Sequence, residues 1–168
     1  MKILVIDGQG GKMGRALVEG LLARMAGSPP CLPECVLVAV GTNSEATAAM
    51  RNANANNANA NVGVNVGVNV GVPRVHCATG ENPVLVNAAD ADIILGPMGL
   101  IAANSLLGEI TPGMALAVSA SKAKKILVPV SRCGVAVAGV NEELSMGELI
   151  KKAVDMAAAL AGLGTPVS

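Results

Sequence analysis

The sequence contains no phenylalanine, tyrosine or tryptophan among its 168 residues. Without a ring to stack on an unpaired base, a single-strand nucleic-acid platform is not expected. Any adenine would have to be held between aliphatic side chains. The hydrophobic core must likewise be built from Val, Ile, Leu, Met and Ala, which the 52% hydrophobic content of the chain supplies.

Net charge is also absent, because twelve Lys and Arg balance twelve Asp and Glu. A neutral chain offers no electrostatic attraction to nucleic acid or to an anionic membrane. No apolar run approaches the roughly eighteen residues of a membrane span, and the apolar run before Asp7 is too short for a signal-peptide core. We therefore expect a cytoplasmic protein with reduced thiols and with neither nucleic acid nor membrane as a partner.

Residue types that usually carry acid–base, nucleophilic or metal chemistry are scarce. His76 is the single histidine, and its position favours a surface residue over a catalyst. We predict no metal site and leave the catalytic residues unknown, with Glu81 and Glu109 as acid–base candidates. The cysteines lack the spacing of a standard zinc finger, and no histidine is placed to activate one as a nucleophile: Cys31, Cys35, Cys77 and Cys133.

Short apolar runs alternate with segments of helical periodicity. This alternation predicts an α/β, Rossmann-like single domain over residues 1–168, with a mostly parallel sheet of four or five strands and helices on both faces. We expect strands at 3–6, 36–40, 93–95 and 126–128, with a fifth at 135–138. Helices are expected at 12–26, 99–107 and 112–120, from a capping box at Thr42–Glu45 to about residue 51, and from a second capping box at Ser145–Glu148 to about residue 161. Residues 80–89 are either a short helix, which we favour, or a strand.

Residues 52–72 form a low-complexity insertion in which Asn-Ala repeats give way to Val-Gly-Val-Asn repeats. Two interpretations stay open. The segment is either a mobile inserted loop or an extended edge strand or hairpin, because its valines alternate with the period of a strand but have Gly and Asn as neighbours.

A glycine-rich segment, Gly8 to Arg15, lies between the first strand and the first helix. Glycines allow a tight turn and close approach of a phosphate to the backbone, and the helix N-terminus then offers N–H groups and a positive dipole. The spacing is that of a G-x-x-G-x-x-G variant rather than of the standard dehydrogenase fingerprint or a Walker A motif. We predict phosphate or nucleotide binding here; the alternative is a turn needed only for packing.

Two further segments follow predicted strands, at residues 41–43 and 96–99. Because ligands of open α/β sheets bind beyond the carboxyl ends of the strands, these segments and the glycine loop are expected to share one crevice. The candidate ligand-binding residues are Gly8, Gln9, Gly10, Gly11, Lys12, Met13, Gly14, Arg15, Gly41, Thr42, Asn43, Gly96, Pro97, Met98 and Gly99.

The second strand ends without the acidic residue that usually receives the ribose hydroxyls of NAD. Small polar groups stand there instead, and Lys12, Arg15 and Arg51 are nearby in the predicted fold. This favours NADP over NAD as the cofactor.

Residues 8–15 resemble the glycine loop of the N-terminal domain of dihydrodipicolinate reductase, although the histidine-rich catalytic segment of that family is absent. A longer resemblance, to a small bacterial family of uncharacterised Rossmann-like proteins (domain of unknown function 3842), rests on segments in the same order. These are 6–11, 41–43, 78–82, 96–99, 103–112 and 123–130. The longer resemblance implies the fold and the candidate site, and no reaction.

The sequence therefore predicts a nucleotide-binding domain of unassigned reaction, and leaves open an NAD(P)-dependent oxidoreductase activity. The alternative is a non-catalytic module that senses a nucleotide or binds a partner, since acid–base residues are few. A third interpretation is a structural protein whose apolar helices supply a homodimer face.

Overall fold

The computed structural model describes residues 1–26, 35–59, 75–130 and 144–163, with side chains at all of these except 54–59. Five strands form one parallel sheet in the order β3-β2-β1-β4-β5. This confirms the predicted α/β, Rossmann-like class. The strands are β1 (Lys2–Asp7), β2 (Val36–Gly41), β3 (Val75–Thr79), β4 (Ile93–Pro97) and β5 (Lys124–Val128).

Five α-helices cover both faces of the sheet. One face packs against the first, second and fifth helices, and the other against the third and fourth. The helices are α1 (Lys12–Ala26), α2 (Ser44–Asn59), α3 (Glu81–Asp90), α4 (Pro112–Ala120) and α5 (Met146–Ala161). None of the described helices is long and apolar enough to span a membrane.

Strand β1 lies at the centre of the sheet because both of its faces are apolar. Ile3 and Val5 belong to the core under α1 and α5, whereas Leu4 and Ile6 belong to the core under α3 and α4, and all four are fully buried. Burial of such a side chain contributes roughly 1.5–3 kcal/mol. An uninterrupted aliphatic run is therefore stabilised as a two-sided parallel strand.

The strand order reverses beside β1. The chain moves outward from β1 to β2 and β3, then returns to the other side of β1 to form β4 and β5. The crevice at such a reversal, beyond the carboxyl ends of the strands, is where ligands of this fold class bind. The glycine loop follows β1 and therefore lies at this point.

Three elements differ from the sequence-based expectation. Helix α2 continues to Asn59 instead of ending near Arg51, because Ala53 is fully buried against the core and alanine favours a helix. The first part of the 52–72 insertion is therefore helical, which neither interpretation of it included. Strand β3 was not predicted, since an edge strand of mixed composition carries no clear periodicity. The expected helix at 99–107 is replaced by two short 3₁₀ turns, Met98–Ile101 and Leu106–Gly108.

The remaining helix predictions are confirmed. The region 80–89, also weighed as a strand, is helix α3. Thr111 caps α4 by accepting a hydrogen bond from Met114 N, and Ser145 and Glu148 form the expected capping box of α5. Several predictions fall outside the described residues: the strand at 135–138, the repeat from residue 60 to 72, Cys31 and Cys133.

Candidate functional site

The glycine loop makes a tight turn before α1. Gly11 N donates to Gly8 O at 3.0 Å. Gln9 and Gly11 have φ of 52° and 65°, in a region that residues other than glycine rarely adopt. A Cβ at Gly11 would lie 2.6 Å from Ala46 Cα, so glycine is required here by the fold itself, to admit helix α2.

Asp7, the last residue of β1, holds the loop in place. Its side chain is 6% exposed, and its two carboxylate oxygens accept hydrogen bonds from Gly8 N at 2.9 Å and Gly14 N at 2.6 Å. Burial raises the pKa of Asp7 above its ordinary value, against the lowering effect of the bonds from Gly14 and Gly8. Because α1 has no acid in its own first turn, Asp7 provides the acceptor for the Gly14 N–H group at the N-terminus of this helix.

Gly14 allows helix α1 to lie directly on strand β1. A Cβ there would be 2.6 Å from Asp7 Cβ and 2.7 Å from Met50 Sδ. Its role is therefore close packing, as for Gly11.

Gly10 differs from the other glycines of the loop. It is exposed, its φ is not positive, and a Cβ there would meet only Glu45 Oε1, at 3.7 Å. No feature of the described fold requires glycine at this position. An open glycine surface in this position suits the close approach of a ligand to the backbone.

Backbone donors remain at this end of the loop. Among the described residues, no acceptor faces the N–H groups of Gly10 and Lys12. Lys12 is exposed, and none of the described acidic residues forms an ion pair with it. Two N–H groups and an ammonium group are thus available to one anion at the start of α1.

Glu109 reaches the glycine loop from the segment between β4 and α4. Its Oε2 accepts hydrogen bonds from Gln9 N at 2.8 Å, from Asn43 Nδ2 at 3.0 Å and from the hydroxyl of Thr42. Partial burial opposes ionisation, but these three bonds together hold the pKa of Glu109 below its ordinary value. Glu109 is therefore ionised at neutral pH, and it also raises the pKa of Asp7.

The residues after β2 join this arrangement. Asn43 Nδ2 also donates to Gln9 O at 3.0 Å, and Asn43 Oδ1 accepts from Ala46 N at 2.8 Å. Asn43, rather than Thr42, is thus the N-cap of α2. The predicted capping box of Thr42 and Glu45 does not form, because the Thr42 hydroxyl is bonded to Glu109 and the N-cap is Asn43. A Cβ at Gly8 would lie 2.6 Å from Glu109 Oε2, so this glycine makes room for the carboxylate.

A cleft of about 470 Å³ opens beside the loop. Its lining also contains Pro97, at the end of β4, together with Leu106 and Leu107. Leu106 and Leu107 both have positive φ, 53° and 59°, and Leu107 is 94% exposed. We call this feature the glycine-loop cleft; its lining residues are Asp7, Gly8, Gln9, Gly10, Gly11, Lys12, Met13, Pro97, Leu106, Leu107 and Val130.

Some of the predicted site residues serve the fold away from the cleft. Gly41 admits the start of α2, since a Cβ would collide with Thr47, and Gly96 lies against the carbonyl oxygen of Ile6. Gly99 is buried and accepts a hydrogen bond from Ser105. Within the segment 96–99, Pro97 is the one described residue that lines the cleft. Gly96, Met98 and Gly99 do not line it.

The two arginines that the sequence suggests near the glycine loop, Arg15 and Arg51, have partners elsewhere. Arg15 Nε donates to Glu19 Oε1 at 2.9 Å along α1. Burial raises the pKa of the Cys77 thiol, and Arg51, which bonds this thiol, lowers it in part through its charge.

The other acid–base candidate, Glu81, accepts a hydrogen bond from Thr111 Oγ1 at 2.6 Å. No cluster of three metal-binding side chains occurs among the described residues.

Sequence reasoning missed the position of Glu109. Gln9 and Glu109 are 100 residues apart, and the intervening turns with positive φ carry little sequence signal. The only indication was an acid flanked by a glycine and a helix cap, at Gly108 and Thr111.

Comparison with known proteins assigns a family and little else. No curated protein and no solved structure matches the chain, and the resemblance of the glycine loop to dihydrodipicolinate reductase is therefore not supported. One family model, described as Domain of unknown function (DUF3842), matches residues 2–72 and 72–161. The chain, a Rossmann-like parallel α/β domain, belongs to the DUF3842 family.

Proposed function

We propose that the glycine-loop cleft binds a nucleotide, with a dinucleotide of the NAD(P) class as the best-fitting ligand. The observation that carries this proposal is Gly10. Its neighbours Gly8, Gly11 and Gly14 are each required by packing, whereas no contact of the described fold requires a glycine at position 10. The open backbone adjoins two N–H groups that have no acceptor in the described part of the chain, and the amine of Lys12.

The apolar wall of the cleft supports the same ligand class. A chain without aromatic residues must hold an adenine ring between aliphatic side chains, and Leu106 and Leu107 line the cleft together with the glycine loop. A leucine that is 94% exposed at positive φ is costly to maintain without a partner. A ring stacked on it would remove its side chain from water.

The first test is a panel of NAD, NADP, FAD, ATP and GTP in thermal-shift and calorimetry measurements. A ligand at a hundred times its Kd stabilises the fold by about 2.7 kcal/mol, which raises the Tm of a domain of this size by several degrees. No shift and no heat with any member of the panel contradicts the proposal.

The second test uses Gly10→Val. The side chain would stand over the loop backbone and exclude a phosphate, so we expect binding to fall by about a hundredfold or more, with little change in Tm. Gly147→Val is the matched control, because Gly147 is also exposed and starts a helix away from the cleft. Unchanged affinity in Gly10→Val contradicts the proposed site.

A non-catalytic nucleotide-sensing or partner-binding module is the second candidate, and Asp7 favours it. Both of its oxygens are bonded to backbone N–H groups, so the buried acid of the cleft already has a structural role. If the protein is an oxidoreductase, one of a set of small alcohols or hydroxy acids should reduce added nicotinamide cofactor, and Gly10→Val should lose this activity. If the protein is a sensor, the nucleotide should bind without turnover.

A further inference from the structure

The carboxylate of Glu109 stands at the end of β2, where the sequence itself has no acid. It is bonded to both polar side chains that follow this strand, Thr42 and Asn43. In a dinucleotide-binding domain, the acid that accepts the ribose hydroxyls belongs to this end of the second strand. Here the chain supplies it from the loop after β4, 67 residues beyond Thr42.

One oxygen of Glu109 remains available. Oε2 receives all three hydrogen bonds to this carboxylate, and no described residue donates to Oε1. An ionised carboxylate accepts hydroxyl donors on both oxygens. Oε1 can therefore take the 2′ and 3′ hydroxyls of a ribose while Oε2 keeps the carboxylate in place.

The charges around this position oppose a phosphate on the ribose. A phosphate on the ribose would bring its negative charge beside the carboxylate of Glu109. The two arginines that the sequence suggested for a 2′-phosphate are bonded elsewhere: Arg15 to Glu19, and Arg51 to Cys77. Lys12 is the single cation among the described lining residues of the cleft.

We propose that Glu109, which adjoins the cleft through its hydrogen bond from Gln9 N, binds the ribose and that the site selects a nucleotide with free 2′ and 3′ hydroxyls over its 2′-phosphorylated counterpart. The inference rests on the proposed nucleotide binding. It reverses the preference for NADP that the sequence alone favours, because that preference assumed that no acid stands at the end of β2.

The experiment measures Kd by calorimetry for two ligand pairs on the unmodified chain: NAD with NADP, and 5′-AMP with adenosine 2′,5′-bisphosphate. We expect the member with the free ribose to bind about tenfold more tightly or better in each pair, since hydrogen bonds to a charged group are strong. Adding 2′-deoxy-5′-AMP isolates the hydroxyl: it should bind several-fold more weakly than 5′-AMP.

Glu109→Gln then removes the charge and keeps the shape. We expect the preference for the free ribose to fall by about tenfold, through weaker NAD binding and stronger NADP binding. Glu81→Gln is the control, because Glu81 is an exposed acid bonded to Thr111 at the start of α4 and not to the glycine loop; the preference of this variant should equal that of the unmodified chain.

The outcomes separate the two proposals. Binding of both ligands with NADP equal to or tighter than NAD overturns the role of Glu109 and leaves nucleotide binding intact. A preference for NAD that is unchanged in a folded Glu109→Gln protein also overturns it. Absence of binding by every ligand overturns the nucleotide site and the inference together.

Discussion

The two edges of the parallel sheet each carry a cleft, and they are built differently. At the amino edge a cleft of about 620 Å³ lies beside the start of β1 and β2 and the end of α3. We call it the amino-edge cleft. Its charged side chains have partners within the chain: Lys2 Nζ pairs with Asp90, and the carboxylate of Asp92 accepts a hydrogen bond from the backbone N of Lys2 at 2.7 Å.

The glycine-loop cleft is smaller, about 470 Å³, but its polar groups are not all used internally. The N–H groups of Gly10 and Lys12 have no acceptor in the described part of the chain, and Oε1 of Glu109 has no donor there. We therefore base the proposed binding site on unused donors beside an open glycine and not on cleft volume.

Removing the aspartate at the end of β1 should have the largest effect. Asp7→Ala leaves the N–H groups of Gly8 and Gly14 without acceptors in a buried position, and we expect a loss of about 3 kcal/mol in the free energy of unfolding. Asp92→Ala at the amino edge removes an exposed acceptor and should cost less than about 1 kcal/mol. Urea unfolding measures the loss of unfolding free energy in both variants. Equal losses would contradict the difference between the two edges.

Leu107 provides a smaller effect, on binding alone. Because its side chain is 94% exposed, Leu107→Ala should leave the unfolding free energy almost unchanged. It should weaken nucleotide binding about fivefold through lost apolar contact. Leu116→Ala, on α4 and 68% exposed, is the matched control and should not alter Kd. If Leu107→Ala binds as tightly as the control, the leucine wall does not contact the ligand.

The smallest expected effect is a dependence of stability on pH. The pKa of Glu109 is lowered in the folded chain, so its ionised form stabilises the fold above the unfolded value of 4.5. That contribution disappears as the pH falls through the lower folded pKa. The stability advantage of the unmodified chain over Glu109→Gln should therefore be constant near neutral pH and shrink below 4.5. Urea midpoints across this range measure it, and an advantage independent of pH would contradict an ionised Glu109.

The central unit of the fold could be predicted from the sequence because its signals are local. The aliphatic run of β1, the glycine turn and the apolar periodicity of α1 are adjacent in the chain, and each fixes a conformation without help from distant residues. The caps at Thr111 and Ser145 are local in the same sense.

The contact that defines the candidate site could not be predicted, because it depends on tertiary structure. Glu109 meets Gln9 and Thr42 only after the loop beyond β4 folds back, and that loop uses positive φ at Leu106 and Leu107, where composition does not indicate it. Sequence reasoning had instead placed a helix there and had counted the end of β2 as free of acids.

The measurement that tests the central claim most directly is a titration of the ¹⁵N-labelled chain with NAD, followed by amide chemical shifts. The account predicts that the largest changes occur at Gly10 and Lys12, whose N–H groups are available to the phosphates, with none at Lys2 and Asp92 on the amino edge. Changes confined to the amino-edge cleft, or a spectrum that NAD at saturating concentration leaves unaltered, would contradict it.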